Sequence, residues 1–221
     1  MSTTTVGSSS VARLVSRTSI ILGGQVGLAW LGSLATWSMQ MTTASFWAMT
    51  TLFMASALGS SFWGMSADSS DPSPVLGAAV FAFVTGAYIG PVMAMHTEQL
   101  GPAVVGAVCA ASIVGLAAAG TIGALASFDW RKAESWLIPA LWGLIGFHLV
   151  GALLEMPAGL DRVVSLGGAG LFLLFAAVDV ARMLALGSAG EDGWGTAVVV
   201  ANNLFLDLVN IVLHLLASMG D

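Results

Sequence analysis

The chain is short of charge. Only 8% of its 221 residues are Asp, Glu, Lys or Arg, and a single lysine, a single cysteine and a single tyrosine occur. A soluble domain of this size carries roughly a quarter charged residues. So few charges cannot cover the surface of a water-soluble globule, and lipid must be the solvent for much of it. The six basic residues are outnumbered by twelve acidic ones, for a net charge of −6. No basic stripe exists to neutralise phosphates, which excludes nucleic acid as a partner. The lone cysteine, Cys109, allows no intrachain disulfide and no cysteine metal cluster. It lies inside an apolar run and reads as a small packing residue.

What the chain has in abundance is apolar sequence: 57% hydrophobic residues and a mean hydropathy of +0.91. Seven runs of about 20 residues are long enough to cross a bilayer. They are Ile20–Met39, Phe46–Met65, Val75–Met95, Ala103–Phe128, Ser135–Leu154, Val163–Leu186 and Thr196–Met219. The breaks between them hold turn and charge signals: ADSSDPSP in Ser66–Pro74, Glu98, Gly101 and Pro102 in His96–Pro102, and DWRKAE in Asp129–Glu134. The fold class expected is an all-α membrane protein of seven transmembrane helices. Residues 1–18 are expected to form an N-terminal cytoplasmic tail and 19–221 one transmembrane domain. The positive flank of the first run also suits a cleaved signal peptide, but 20 residues are enough to span, and it reads as an uncleaved first helix.

Positive residues orient the bundle. With the N-terminus inside, Arg13, Arg17, Arg131, Lys132 and Arg182 fall on the inner side and only Arg162 outside, the bias expected of a cytoplasmic N-terminus in the cell membrane. Trp37, Trp63, Trp130, Trp136 and Trp194 lie near run ends, where an aromatic belt would sit. Gly23-x-x-x-Gly27 and Gly86-x-x-x-Gly90 are small-residue spacings that permit close helix contact.

Ionisable groups at lipid depth are costly and tend to face a cavity or each other. In the seventh run Asn203, Asp207, Asn210 and His214 recur at i, i+4, i+7 and i+11, a narrow arc of one helix face. Such a stripe lines either a pathway or a hydrogen-bonded seam between helices. In the sixth run Asp179 precedes Arg182 by three residues, so a local Asp–Arg pair is one reading. The other follows from depth. Counted from their inner ends, Asp179 lies about 10 Å in and Asp207 about 16 Å in, so the two carboxylates can meet across adjacent helices. Two carboxylates in a poorly solvated site do not easily both ionise. Sharing a proton they close as a clasp; doubly ionised they repel, or bind a hard cation such as calcium through oxygen. His148 and Glu155, seven residues apart on the fifth run, share a face. Glu155 and Glu98 fall near outer ends, where they read equally as an acidic mouth attractive to cations or as exposed edge carboxylates.

The tail NNLFLDLVNIVLHLLASMG resembles the last helix of the transmembrane Bax inhibitor motif family through Leu204, Phe205, Leu206, Asp207, Asn210 and Gly220. Asp179 and Arg182 match the family's acidic residue with a basic one soon after, although Val178 stands where the family has an aromatic residue. FDWRKAESWLIPALWGLIG and TGAYIGPVMA are similar to its charged lead into helix five and its glycine–proline turn in helix three. The likeness covers roughly Gly86–Gly220 and implies six helices around a central seventh. It also implies a pH-sensitive calcium leak gated by an aspartate pair, here Asp179 and Asp207, with calcium as the transported ion and no resident cofactor. The family's leak scheme uses an arginine in a charged second helix as a latch; Phe46–Met65 has no charged residue, leaving Arg182 as the substitute candidate.

A membrane protein that works by helix contacts and conducts nothing is the first alternative. A seven-helix intramembrane zinc hydrolase is the second, with His96, His148 and His214 as ligands, though no two of them share helical spacing. A rhodopsin would need a lysine in the last helix, and Lys132 is in a loop. The reading preferred is a cation leak pathway and no enzyme. Its partners are the lipid bilayer, calcium and protons. Asn203, Asn210, His214, His148, Glu155 and Arg182 are the pore-lining or gating candidates.

Overall fold

The computed structural model describes residues 4–126, 129–154 and 158–220. Among them the chain forms seven α-helices: α1 (Thr4–Thr36), α2 (Thr43–Ser66), α3 (Pro74–Leu100), α4 (Pro102–Leu125), α5 (Trp130–Leu153), α6 (Ala158–Ser188) and α7 (Trp194–Ala217). Each apolar run corresponds to one helix, but several helices continue into polar sequence. α1 starts well before Ile20, so Arg13 and Arg17 are helical. α3 runs on through His96 and Glu98, and the DWRKAE segment is the cap and first turn of α5. Hydropathy marks where lipid begins; a helix ends only where a cap or breaker stops its hydrogen-bond ladder.

The stops are chemical. Thr42 accepts from Ser45 N, and Ser45 Oγ accepts from Thr42 N, a capping box at the start of α2. Asp129 accepts from Arg131 N and Lys132 N to cap α5. A single residue, Gly101 at φ +85°, joins α3 to α4, whose first residue is Pro102; only glycine adopts that dihedral cheaply, and proline suits the first helical position. α6 ends at Ser188 and is capped by Gly190, φ +87°. There Gly190 N donates to Gly187 O and Glu191 N to Leu186 O, the paired bonds of a Schellman cap.

Six of the seven helices, all but α2, are long and apolar enough to cross a membrane. α2 has 24 residues and no charge, but eight serines and threonines dilute its hydropathy. Several of these hydroxyls donate to their own helix, Thr50 to Phe46 O, Thr51 to Trp47 O and Ser56 to Phe53 O, which satisfies them without water. Among the six, α7 is the most enclosed and α5 the least: 61% of the most apolar stretch is buried in the first and 6% in the second.

The chain divides into two compact units, Met1–Met95 with Met183–Phe205, and His96–Arg182 with Leu206–Asp221. In the first, α1 and α3 run parallel and nearly touch. A Cβ on Gly86 would strike the Ala29 carbonyl, and one on Gly90 would stand 2.6 Å from Ser33 O. Thr36 Oγ1 donates to Ala87 O across the same contact (2.8 Å). Gly86-x-x-x-Gly90 is therefore a packing motif, whereas Gly23 and Gly27 face open space. α2 lies antiparallel along α3 from end to end: Gly77 against Ser60 and Trp63, Phe81 against Phe53, Tyr88 against Phe53 and Phe46. In the second unit α4 and α6 meet through Gly123, where a Cβ would strike the Ala177 carbonyl.

Candidate functional site

α6 and α7 are antiparallel, and one contact fixes their register. The Phe172 and His214 rings stack at 5.6 Å. Seven residues on along α6 is Asp179, and seven back along α7 is Asp207. Seven residues are two helical turns and return to nearly the same face. The register therefore brings the two aspartates level, and Asp179 acts on Asp207 electrostatically. Asp207 sits mid-helix, about 20 Å from the start of α7 and about 15 Å from its end. It is buried, 6% exposed, and its Oδ2 has no hydrogen-bond partner among the described residues. Asp179 is half-buried among Ala176, Ala177 and Val178, which are buried.

The other expected residues divide. Asn210 is half-buried and its Nδ2 donates to the Leu206 carbonyl of its own helix (2.9 Å). Asn203 is half-exposed. Arg182 points to α5: it lies 3.8 Å from the Glu134 carboxylate and over the Trp130 ring at 5.7 Å. His148 is exposed and meets His214 ring to ring at 5.3 Å. His96 is buried at the end of α3, beside Gly220. Glu155 lies outside the described residues. Among the described residues no three of His, Cys, Asp or Glu gather to hold a metal ion, so the protein ligand set that a zinc hydrolase needs is not assembled there.

The buried amide of α7 is Asn202, the neighbour of the one the polar stripe picked out. Asn202 Oδ1 accepts from Gln25 Nε2 of α1 (2.7 Å), and Asn202 Nδ2 donates to Ser60 Oγ of α2 (2.9 Å). All three side chains are at most 2% exposed. The relay ties α1, α2 and α7 together with neutral groups. Gln25 was the visible signal, the one amide in the first apolar run. The buried face of α1 alternates polar and apolar residues, Ser10, Thr18, Gln25 and Ser33 between Leu14, Ile21 and Ala29.

At the α1 N-terminal end of this unit, Arg13 forms an ion pair with Asp192 of the α6–α7 loop (2.6 Å). Arg17 donates to the Asp192 carbonyl and covers the Trp194 ring. Trp194 N in turn donates to Ser69 O of the α2–α3 loop. Partial burial works against the Asp192 carboxylate. The hydrogen bonds from Arg13 and Ser10 and the charges of Arg13 and Arg17 outweigh it and hold the carboxyl below its ordinary pKa.

Against known proteins, the sequence pattern of the family described as "Inhibitor of apoptosis-promoting Bax1" matches residues 11–221. An uncharacterized protein of Borreliella burgdorferi is 32% identical over 97 residues, 42% of this chain and 41% of that protein. The chain thus spans well under half the length of that relative.

Proposed function

The chain belongs to the Bax inhibitor family of multi-pass membrane proteins, described as inhibitors of apoptosis-promoting Bax1, and on that premise we propose that it is a pH-sensitive cation leak pathway, for calcium, gated at Asp179 and Asp207. One observation carries the reading: a carboxylate buried in the middle of the most enclosed span, one oxygen without a partner, level with a second carboxylate. A buried acid that is left unsatisfied where apolar sequence would be more stable is the mark of a functional group.

The mechanism follows from the two protonation states. With a proton shared between them the carboxyls hold α6 and α7 together as a hydrogen-bonded clasp. With the proton gone, like charges in a poorly solvated place repel, the helices part, and two anionic oxygens face the gap. A hard cation with oxygen preference is then drawn in, and water or the next proton releases it. α2 crosses the membrane as a seventh span in this scheme, since it accompanies α3 over its whole length. α7 is its central helix. The basic residues Arg13, Arg17, Arg131, Lys132 and Arg182 support a cytoplasmic N-terminus in this scheme, with the cell membrane as its location.

The family's arginine latch on the second helix has no counterpart in α2. Arg182 is engaged with Glu134 and Trp130, so the pair in this chain opens and closes on protonation without a cationic latch from α2. Reconstitution in liposomes tests the proposal. Calcium uptake should change between about pH 6 and about pH 8, with the carboxyl pair as the titrating group, and Asp207→Asn should remove the change. Uptake that ignores both pH and the substitution would refute it.

A further inference from the structure

His148 and His214 come from different helices, α5 and α7, and meet with ring centroids 5.3 Å apart and planes at 63°. The arrangement is supported on both sides. The His214 ring lies against α6, stacked on Phe172 and over Gly168. A Cβ on Gly168 would stand 2.5 Å from His214 Cε1, so any larger residue would displace the imidazole. His148 Nδ1 lies 2.9 Å from the Leu144 carbonyl. A carbonyl only accepts, so Nδ1 carries the proton and the Nε2 lone pair is left for another partner. A far ring nitrogen held by a backbone carbonyl is how metal-ligating histidines are oriented.

The spacing fits one ion. Two imidazoles bound to a tetrahedral ion through nitrogen at about 2.0–2.1 Å place their ring centroids roughly 5 Å apart. The depth fits as well. His148 is five residues from the end of α5 and His214 three from the end of α7, roughly 8 Å and 5 Å along their axes. Water can complete a coordination shell this close to the helix ends. We propose that His148 and His214 form a binding site for a divalent transition-metal ion of the zinc, copper and nickel class, completed by water. Imidazole nitrogen selects this class over calcium or magnesium, which take oxygen.

With two protein ligands the site is exchangeable rather than structural. Its effect is to clip α5, the least buried of the spans, to α7. The inference uses residues other than the aspartates and stands whether or not the protein conducts.

The test is zinc titration of the purified, tag-free full chain in detergent against a competing chromophoric chelator, with thermal unfolding as a second readout. One zinc per chain and a raised unfolding midpoint are expected. His148→Ala and His214→Ala should each abolish both effects, while His96→Ala and Asp207→Asn keep them. His148 is exposed, so His148→Ala should fold with an unchanged metal-free midpoint. Zinc binding that survives loss of either histidine, or is absent from the wild type, would show that the two rings are only in aromatic contact. Binding lost in Asp207→Asn but kept in His148→Ala would move the ion to the carboxylates and overturn the proposal equally.

Discussion

α7 carries two buried polar side chains, Asn202 and Asp207, and they live in opposite circumstances. Asn202 is a neutral amide with both ends engaged, to Gln25 and to Ser60. Asp207 is an acid with an oxygen that has no hydrogen-bond partner among the described residues. Both are nearly sealed from solvent. Asn202 has both ends paired, although Gln25 Oε1 at the start of the relay has no partner among the described residues; paired neutral amides specify contacts between helices. An unsatisfied carboxylate costs stability, and its presence calls for a use. In the proposed scheme the difference separates the part of the helix that holds the fold from the part that gates.

The comparison can be broken most sharply at Asp207. Asp207→Asn should abolish the pH response of calcium flux altogether, yet move stability by less than about 1 kcal/mol, because the amide can still donate to the Asp179 carboxyl in place of the shared proton. A large fall in thermal stability with flux unchanged would turn Asp207 into a structural residue and erase the contrast. Asn202→Leu should do the reverse. It removes two interhelical hydrogen bonds and strands the Gln25 amide, a loss of about 2 kcal/mol read from the unfolding midpoint in detergent. Ser60→Ala removes one acceptor at the end of the relay and should cost about 1 kcal/mol. If Ser60→Ala and Asn202→Leu both cost nothing, the relay is not what holds α2.

The smallest effect concerns a third acid, Asp192. Its folded pKa is depressed, so its ion pair with Arg13 stabilises above the ordinary carboxylate pKa. That contribution disappears as pH falls through the lowered folded value. More than half of the Arg13 side chain is exposed, and solvent screening limits the contribution to less than ~1 kcal/mol. Wild-type stability at low salt should therefore drop slightly more than that of Asp192→Asn below about pH 4, and added salt should shrink the gap. An equal drop in both would show that the clasp contributes nothing.

Much of this was legible in the chain. Seven apolar runs correspond to seven helices, and the runs that carry Asp179 and Asp207 became α6 and α7. The helix ends were harder, because Arg13, His96 and Trp130 continue helices past the point where hydropathy falls. The stripe on α7 pointed to Asn203, while burial belongs to Asn202: adjacent residues differ by 100° around a helix, and choosing between them requires knowing where α1 and α2 lie. Gly23-x-x-x-Gly27 and Gly86-x-x-x-Gly90 are identical as motifs, but only the second meets a neighbouring backbone.

Sequence alone determined the solvent, the number of helices and which of them carry acids. Those follow from the cost of polar groups in lipid and from the helical repeat, both local properties. Tertiary structure alone decided the partners: Gln25 for Asn202, Glu134 for Arg182, His148 for His214. Each pairing depends on the rotation and register of two helices far apart in sequence. Those quantities are set by the sum of many side-chain contacts, and no single residue records them.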